Sequence, residues 1–241
     1  MKKLVLVFRR NILLFISIVA LSILFSACKK DLTSQQSTPA AGLMAFNLVP
    51  DNGPISITLS NNPFTTNPLA YTNYTGTYRG VYVGSRDVIS YDYNSNTQLA
   101  KSNQLFEDSA YYSLFVLGAN GNFRNVIVKD NFDSLSSTSG KAFVRYINAI
   151  PDSTKPMVTV ASDDSQVFDG SASFATVTDF KGVTPGNIDV SVSNGSNINA
   201  NRTIAVENGK IYTILLSGIP NATDTTKAVQ IKFIQNGSLT P

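Results

Sequence analysis

The chain has 241 residues, of which 19 are basic and 16 acidic, with no histidine, no tryptophan and a single cysteine. The missing histidine removes the usual general base, the Ser-His-Asp and Cys-His arrangements and histidine metal sites, and one cysteine leaves no disulfide within a monomer. Four basic residues and no acidic ones fall in positions 1–27, leaving 15 against 16 beyond them, so net charge gives no argument for nucleic-acid binding.

Lys2, Lys3, Arg9 and Arg10 form a basic start, followed by an apolar run from Ile12 to Phe25 broken only by serines. That is the anatomy of a signal peptide over residues 1–27, and the run is too short for a helix that crosses a bilayer, which needs about 20 residues. Ser26 and Ala27 before Cys28 resemble the cleavage site of bacterial lipoproteins, with Phe25 in place of the usual Leu. The resemblance implies acylation of Cys28, which becomes the new N-terminus and joins the chain to a membrane. Residues 28–41 carry no apolar periodicity and read as a flexible tether, about 20 Å long on average. Lys29 is not the Asp that retains such proteins in the inner membrane, which implies the outer membrane. Lys29-Lys30-Asp31 resembles the short signal of surface-exposed Bacteroidota lipoproteins, so either a periplasmic or a cell-surface orientation is open.

Beyond the tether the chain repeats itself with a period of about a hundred residues. Phe46-Asn47-Leu48-Val49-Pro50-Asp51 returns as Ile147-Asn148-Ala149-Ile150-Pro151-Asp152, and Glu107 with Tyr111 to Gly118 returns as Glu207 with Ile211 to Gly218. Alternation in Ile188-Asp189-Val190-Ser191-Val192-Ser193 and in Val229 to Phe233 predicts strands with one face on a core. Asn- and Gly-rich stretches such as Gly118 to Asn122 and Ser193 to Ser196 supply tight reversals. Each copy therefore reads as about seven short strands. The fold class is all-β: two tandem immunoglobulin-like antiparallel β-sandwich domains, 42–130 and 141–237, joined by a polar linker at 131–140. Tyr112 and Tyr212 fall where such sandwiches place a corner tyrosine, a position that plain core-edge packing also explains.

Asn148 to Asp152, Val158-Thr159-Val160, Val183-Thr184-Pro185-Gly186 and Gly209 to Thr213 together resemble the family catalogued as domain of unknown function 4397. The likeness covers most of Lys141 to Gly237. The first copy departs from it, with Ser109-Ala110 in place of Gly-Lys and no proline before Gly84. The resemblance implies a secreted or lipid-anchored bacterial protein with the domain in tandem, and it brings no catalytic residues.

Chemistry must come from what remains. Six of the ten tyrosines, Tyr71, Tyr74, Tyr78, Tyr82, Tyr91 and Tyr93, lie in one stretch of the first copy and are the candidate ligand contacts, suited to a glycan or protein partner. Ordinary strand propensity explains the same residues without a ligand. Asp87, Glu107-Asp108 and Asp163-Asp164 are the acids that a carboxylate-dependent glycan-active enzyme would need, paired about 5 to 10 Å apart across a cleft. Asp130-Asn131-Phe132-Asp133 offers oxygen ligands for calcium at the junction, but a polar linker accounts for it with fewer demands. The expectation is a non-enzymatic envelope module without cofactor or metal, with the glycan-active enzyme as the alternative.

Overall fold

The computed structural model describes residues 38–162 and 165–239, so the signal segment, Cys28, most of the tether and Asp163-Asp164 lie outside the described residues. Described first are β1 (Ala40–Leu48), β2 (Ile55–Leu59), β3 (Asn62–Pro63), β4 (Arg79–Tyr82), β5 (Gly84–Asp92), β6 (Gln98–Phe106), β7 (Tyr111–Ala119) and β8 (Asn122–Asp130). The second copy follows with β9 (Ala142–Asn148), β10 (Met157–Ser162), β11 (Ser165–Ser171), β12 (Lys181–Val183), β13 (Gly186–Ser193), β14 (Asn199–Val206), β15 (Lys210–Ser217) and β16 (Gln230–Ser238). Two short 3-10 turns, Phe132–Ser134 and Ser137–Ser139, occupy the connection between the copies.

Each copy folds into two four-stranded sheets with the same order. Sheets β4-β1-β7-β8 and β3-β2-β5-β6 form the first sandwich, and β12-β9-β15-β16 and β11-β10-β13-β14 form the second. The copies are thus all-β sandwiches, with two departures from the expected pattern. There are eight strands per copy, because the short edge strand β3 has its counterpart in β11. The sheets are also not wholly antiparallel, since β1 pairs with β7, and β9 with β15, in parallel. Parallel neighbours need a long crossover, and here it carries the whole opposite sheet together with the edge strand β4 in the first copy or β12 in the second.

Side-chain parity on β1 and β7 distributes residues between two cores. Leu43, Ala45, Tyr112, Leu114 and Val116 face the opposite sheet of their own sandwich, with Ile57, Val88 and Phe106. Val144, Tyr146, Tyr212, Ile214 and Leu216 do the same in the second sandwich, with Val158, Val190 and Ile204. The other parity builds a third core between the copies, from Met44, Phe46, Leu48, Phe115 and Leu117 on one side and Ile147, Ala149, Leu215 and Ile234 on the other. Burying each of the larger of these side chains is worth roughly 1.5–3 kcal/mol relative to leaving it in water. This explains why β7 is buried along nearly its whole length. A strand covered on both faces is apolar at successive positions rather than alternate ones.

The repeated motifs have local causes. Asn47 is fully buried, donates its Nδ2–H to the Leu69 carbonyl (2.8 Å) and accepts from the Val49 N–H (3.0 Å). Asn148 donates to the Ala172 carbonyl (2.9 Å) and accepts from the Ile150 N–H (3.1 Å). Each asparagine ties the end of the first strand of its copy to the segment that crosses between the sheets. The corner tyrosines also match: the Tyr112 hydroxyl accepts from the Glu107 N–H, and that of Tyr212 from the Glu207 N–H, both at 3.2 Å. Tyr112→Phe and Tyr212→Phe are each expected to lower unfolding stability by about 1 kcal/mol without changing the fold, as measured by urea denaturation. Equal stabilities of variant and parent would show that the hydroxyls only mark a core edge.

Candidate functional site

The face where the sandwiches meet carries the most unusual chemistry in the molecule. Arg145 points from β9 into the third core with its side chain 2% exposed, and its Nη1 lies 2.5 Å from Oδ1 of Asp130, whose side chain is fully buried. Its Nη2 donates to the Ser113 hydroxyl at 2.7 Å and its Nε to the Thr213 hydroxyl at 3.0 Å. Ser113 and Tyr78 both donate to Asp130 Oδ2, at 2.7 and 2.6 Å. Thr213 donates to Asn236 Oδ1 (2.6 Å), and Asn236 Nδ2 donates back to the Tyr78 hydroxyl (3.3 Å). The guanidinium also lies over the Phe180 ring, 4.2 Å from its centroid. Removing two charges from water is costly, and here each is met by its counter-ion and by further hydrogen bonds, Arg145 from both copies and Asp130 from the first.

These residues are related by the repeat. Alignment of Asn47 with Asn148 and of Tyr112 with Tyr212 sets Met44 opposite Arg145 and Ser113 opposite Thr213, so equivalent surfaces of the two copies face each other. One side of that face carries the ion pair; the other has Met44 near Asn236 Nδ2, with sulfur and nitrogen 4.0 Å apart. Arg145 falls in none of the sequence motifs above. Its signal was available, as the only charged residue in the strand Ala-Phe-Val-Arg-Tyr-Ile-Asn.

Burial raises the Tyr78 pKa well above 10.0, reinforced by the Asp130 charge and by the hydrogen bond given to Asp130, and opposed by Arg145 and Asn236. A phenol whose pKa is raised on folding contributes stability that is complete below its unfolded pKa and declines as pH rises beyond it. Above about pH 10 the protein should lose stability more steeply than Tyr78→Phe, when both are followed by thermal melts. Parallel pH profiles would exclude this role for Tyr78.

The six tyrosines do not form one patch. Tyr71 donates across the seam to the Ser217 hydroxyl (3.3 Å), Tyr74 stacks on Phe46 with centroids 5.5 Å apart, and Tyr78 belongs to the buried network. Tyr91 is half-buried on β5 between Ser56 and Gln98. Tyr82 and Tyr93 are open to solvent, at 69% and 55% exposure, and lie beyond opposite ends of β5. Tyr82 borders a groove of about 250 Å³ between the edge strands β3 and β4, with Leu59, Pro63, Phe64, Val81 and Arg86. Leu105 is a further exposed apolar side chain, on β6.

The acids are engaged singly. Asp87 pairs with Lys101 (2.8 Å) and accepts from Asn103, which holds its carboxyl below the usual range. Glu107 pairs with Lys129 (2.6 Å), and Asp108 accepts from the Ala40 N–H (2.9 Å). A catalytic acid needs a raised pKa, whereas the resolved carboxylate shifts, at Asp87, Asp92 and Asp224, are all downward. Asp163-Asp164 lies outside the described residues. Asp130 is not available to calcium as the linker reading required, because Arg145, Ser113 and Tyr78 occupy its carboxylate. Among the described residues no group of three or more Cys, Asp or Glu is placed to hold a metal ion, and no helix is long and apolar enough to cross a membrane.

Fold and seam define a protein built from two β-sandwiches of one kind, paired through equivalent sheets. The chain belongs to the family described as Domain of unknown function (DUF4397), which matches residues 41–155 and, a second time, residues 142–232. No curated protein matches the chain significantly. Among solved structures it is similar to that of a "putative cell adhesion protein" from Bacteroides eggerthii, at 8% identity and a TM-score of 0.24, over 82% of this chain and 96% of the other.

Proposed function

We propose that the protein is a non-enzymatic binding or structural module of the bacterial cell envelope, held at the outer membrane by a lipid on Cys28 and presenting both sandwiches as one folded body. The observation that carries this reading is the combination of a seam closed by its own core with aromatic side chains left open on the first sandwich. Tyr82 and Tyr93 are the contacts in this reading, with Tyr91 in support; Tyr71, Tyr74 and Tyr78 serve the seam. Amphipathic rings on a preformed scaffold bind glycan or protein surfaces at little entropic cost.

Two measurements test it. Cys28→Ser should move the protein from the membrane to the soluble fraction, and equal membrane retention would refute the anchor. Tyr82→Ala combined with Tyr93→Ala should leave stability within about 0.5 kcal/mol of the parent, as for surface substitutions generally. The same pair should reduce retention of the unlipidated chain on isolated envelope material. Undiminished retention would remove these tyrosines from the contact surface.

A further inference from the structure

The seam has two ends, related by the repeat but finished differently. Thr72 and Ala175 are equivalent: both have left-handed backbones, with φ of 65° and 70°, and both donate their N–H to the motif asparagine's carbonyl, Asn47 or Asn148. Tyr71 and Phe174, one residue earlier, are therefore counterparts. At the Tyr71 end the copies are bonded directly, Tyr71 to Ser217 and Lys232 Nζ to the Thr72 hydroxyl at 2.7 Å. At the Phe174 end the β7–β8 connection is only Asn120-Gly121, where β15 and β16 are joined by the much longer 218–229. Among the described residues no hydrogen bond crosses there between that hairpin and the second copy. A cleft of about 630 Å³ remains, within the size range of ligand sites.

Its walls mix polar and apolar side chains and carry two cations against one acid. Arg124 and Lys155 reach it from opposite copies, and neither forms an ion pair among the described residues. The Arg124 guanidinium lies over the Phe174 ring, 4.8 Å from the centroid, and Asn120 and Asn122 add amide donors and acceptors. The one carboxylate, Asp152, accepts through Oδ1 from both the N–H and the hydroxyl of Thr154, which fixes the loop carrying Lys155. Lys155 itself has φ 54°, in the left-handed region, immediately before Pro156. Asp51, the counterpart of Asp152, anchors the hairpin by accepting from the Asn120 N–H at 2.5 Å.

We infer that this cleft between the copies binds a short acidic saccharide, with Arg124 and Lys155 on its carboxylate or sulfate groups and Asn120 and Asn122 on its hydroxyls. Arginine supplies a planar fork for an oxyanion and lysine a point charge, so one acid group can be held from two sides. Neither Tyr82 nor Tyr93 lines the cleft, and the proposal holds or fails independently of their role.

The test is calorimetric titration of the unlipidated mature chain with tri-galacturonate, with a sulfated trisaccharide, and with neutral maltotriose as control. Binding of either acidic sugar, at least about tenfold tighter than maltotriose and weakened by added salt, is expected. Lys155→Gln should weaken it about tenfold, and Arg124→Gln with Lys155→Gln should abolish it at an unchanged melting temperature. Lys155→Gln keeps the test valid if loss of the Arg124–Phe174 stack destabilises the double variant. Equal binding of maltotriose, full affinity in Lys155→Gln, or no binding of either acidic sugar at millimolar concentration overturns the proposal. Tyr82→Ala with Tyr93→Ala should bind as the parent does, separating this site from the tyrosine surface.

Discussion

Arg145→Met should cost about 3–5 kcal/mol, because it leaves Asp130 buried against a third core with no counter-ion. Met is the residue that the repeat places at the equivalent position, Met44, so the side chain suits the space while lacking the charge. The matching change, Asp130→Asn, removes the remaining charge and copies the neutral character of Asn236 on the other half of the face. The double variant is therefore expected to recover most of the loss, since replacing a buried pair by neutral groups of similar volume is often close to neutral. Chemical denaturation of the four proteins gives a double-mutant cycle. In the single variant the seam should weaken before the individual sandwiches, so that one transition separates into two. A single transition at unchanged denaturant concentration would mean that the ion pair contributes nothing to holding the copies together.

Gly118→Ala should be the more damaging substitution, at about 4 kcal/mol or more. Gly118 has φ 127°, and a Cβ there would lie 2.1 Å from the Asn122 carbonyl oxygen and 2.8 Å from the Phe123 Cα. These are backbone atoms in the adjoining hairpin strand, which cannot swing aside as a side chain would. The second copy has the same constraint, with Gly218 at φ 115° and a Cβ 2.2 Å from the Ala228 oxygen. Gly80→Ala is the control: it has open space around it and should cost no more than a few tenths of a kcal/mol beyond the backbone propensity. Thermal melts and soluble yield would report the difference. A stable Gly118→Ala protein would show that the hairpin tolerates another register.

The repeat, the strands and the corner tyrosines were legible because their causes are local. Ile188 to Ser193 alternates because one face meets a core and the other meets water, and Tyr112 and Tyr212 reach backbone groups only five residues away. The parallel pairing of β1 with β7 was not legible, because alternation records which face is buried and not which strand lies alongside or in which direction. Asp130 read as a linker acid because its neighbours in the chain are polar, while its partner Arg145 and its donors Ser113 and Tyr78 are brought to it by packing.

The tyrosines make the same point about the candidate site. Their clustering between Tyr71 and Tyr93 is a property of the chain, but packing of the second copy decided that Tyr71, Tyr74 and Tyr78 would turn inward and that Tyr82 and Tyr93 would stay exposed. By itself the sequence determined two copies of an all-β unit, through apolar spacing and turn chemistry that act over a few residues. Only the tertiary structure decided that equivalent sheets of those copies would meet, bury an arginine and an aspartate between them, and leave a cationic cleft at one end. That outcome depends on faces assembled from residues a hundred positions apart, and the free energy that joins them comes from surface that neither copy could bury alone.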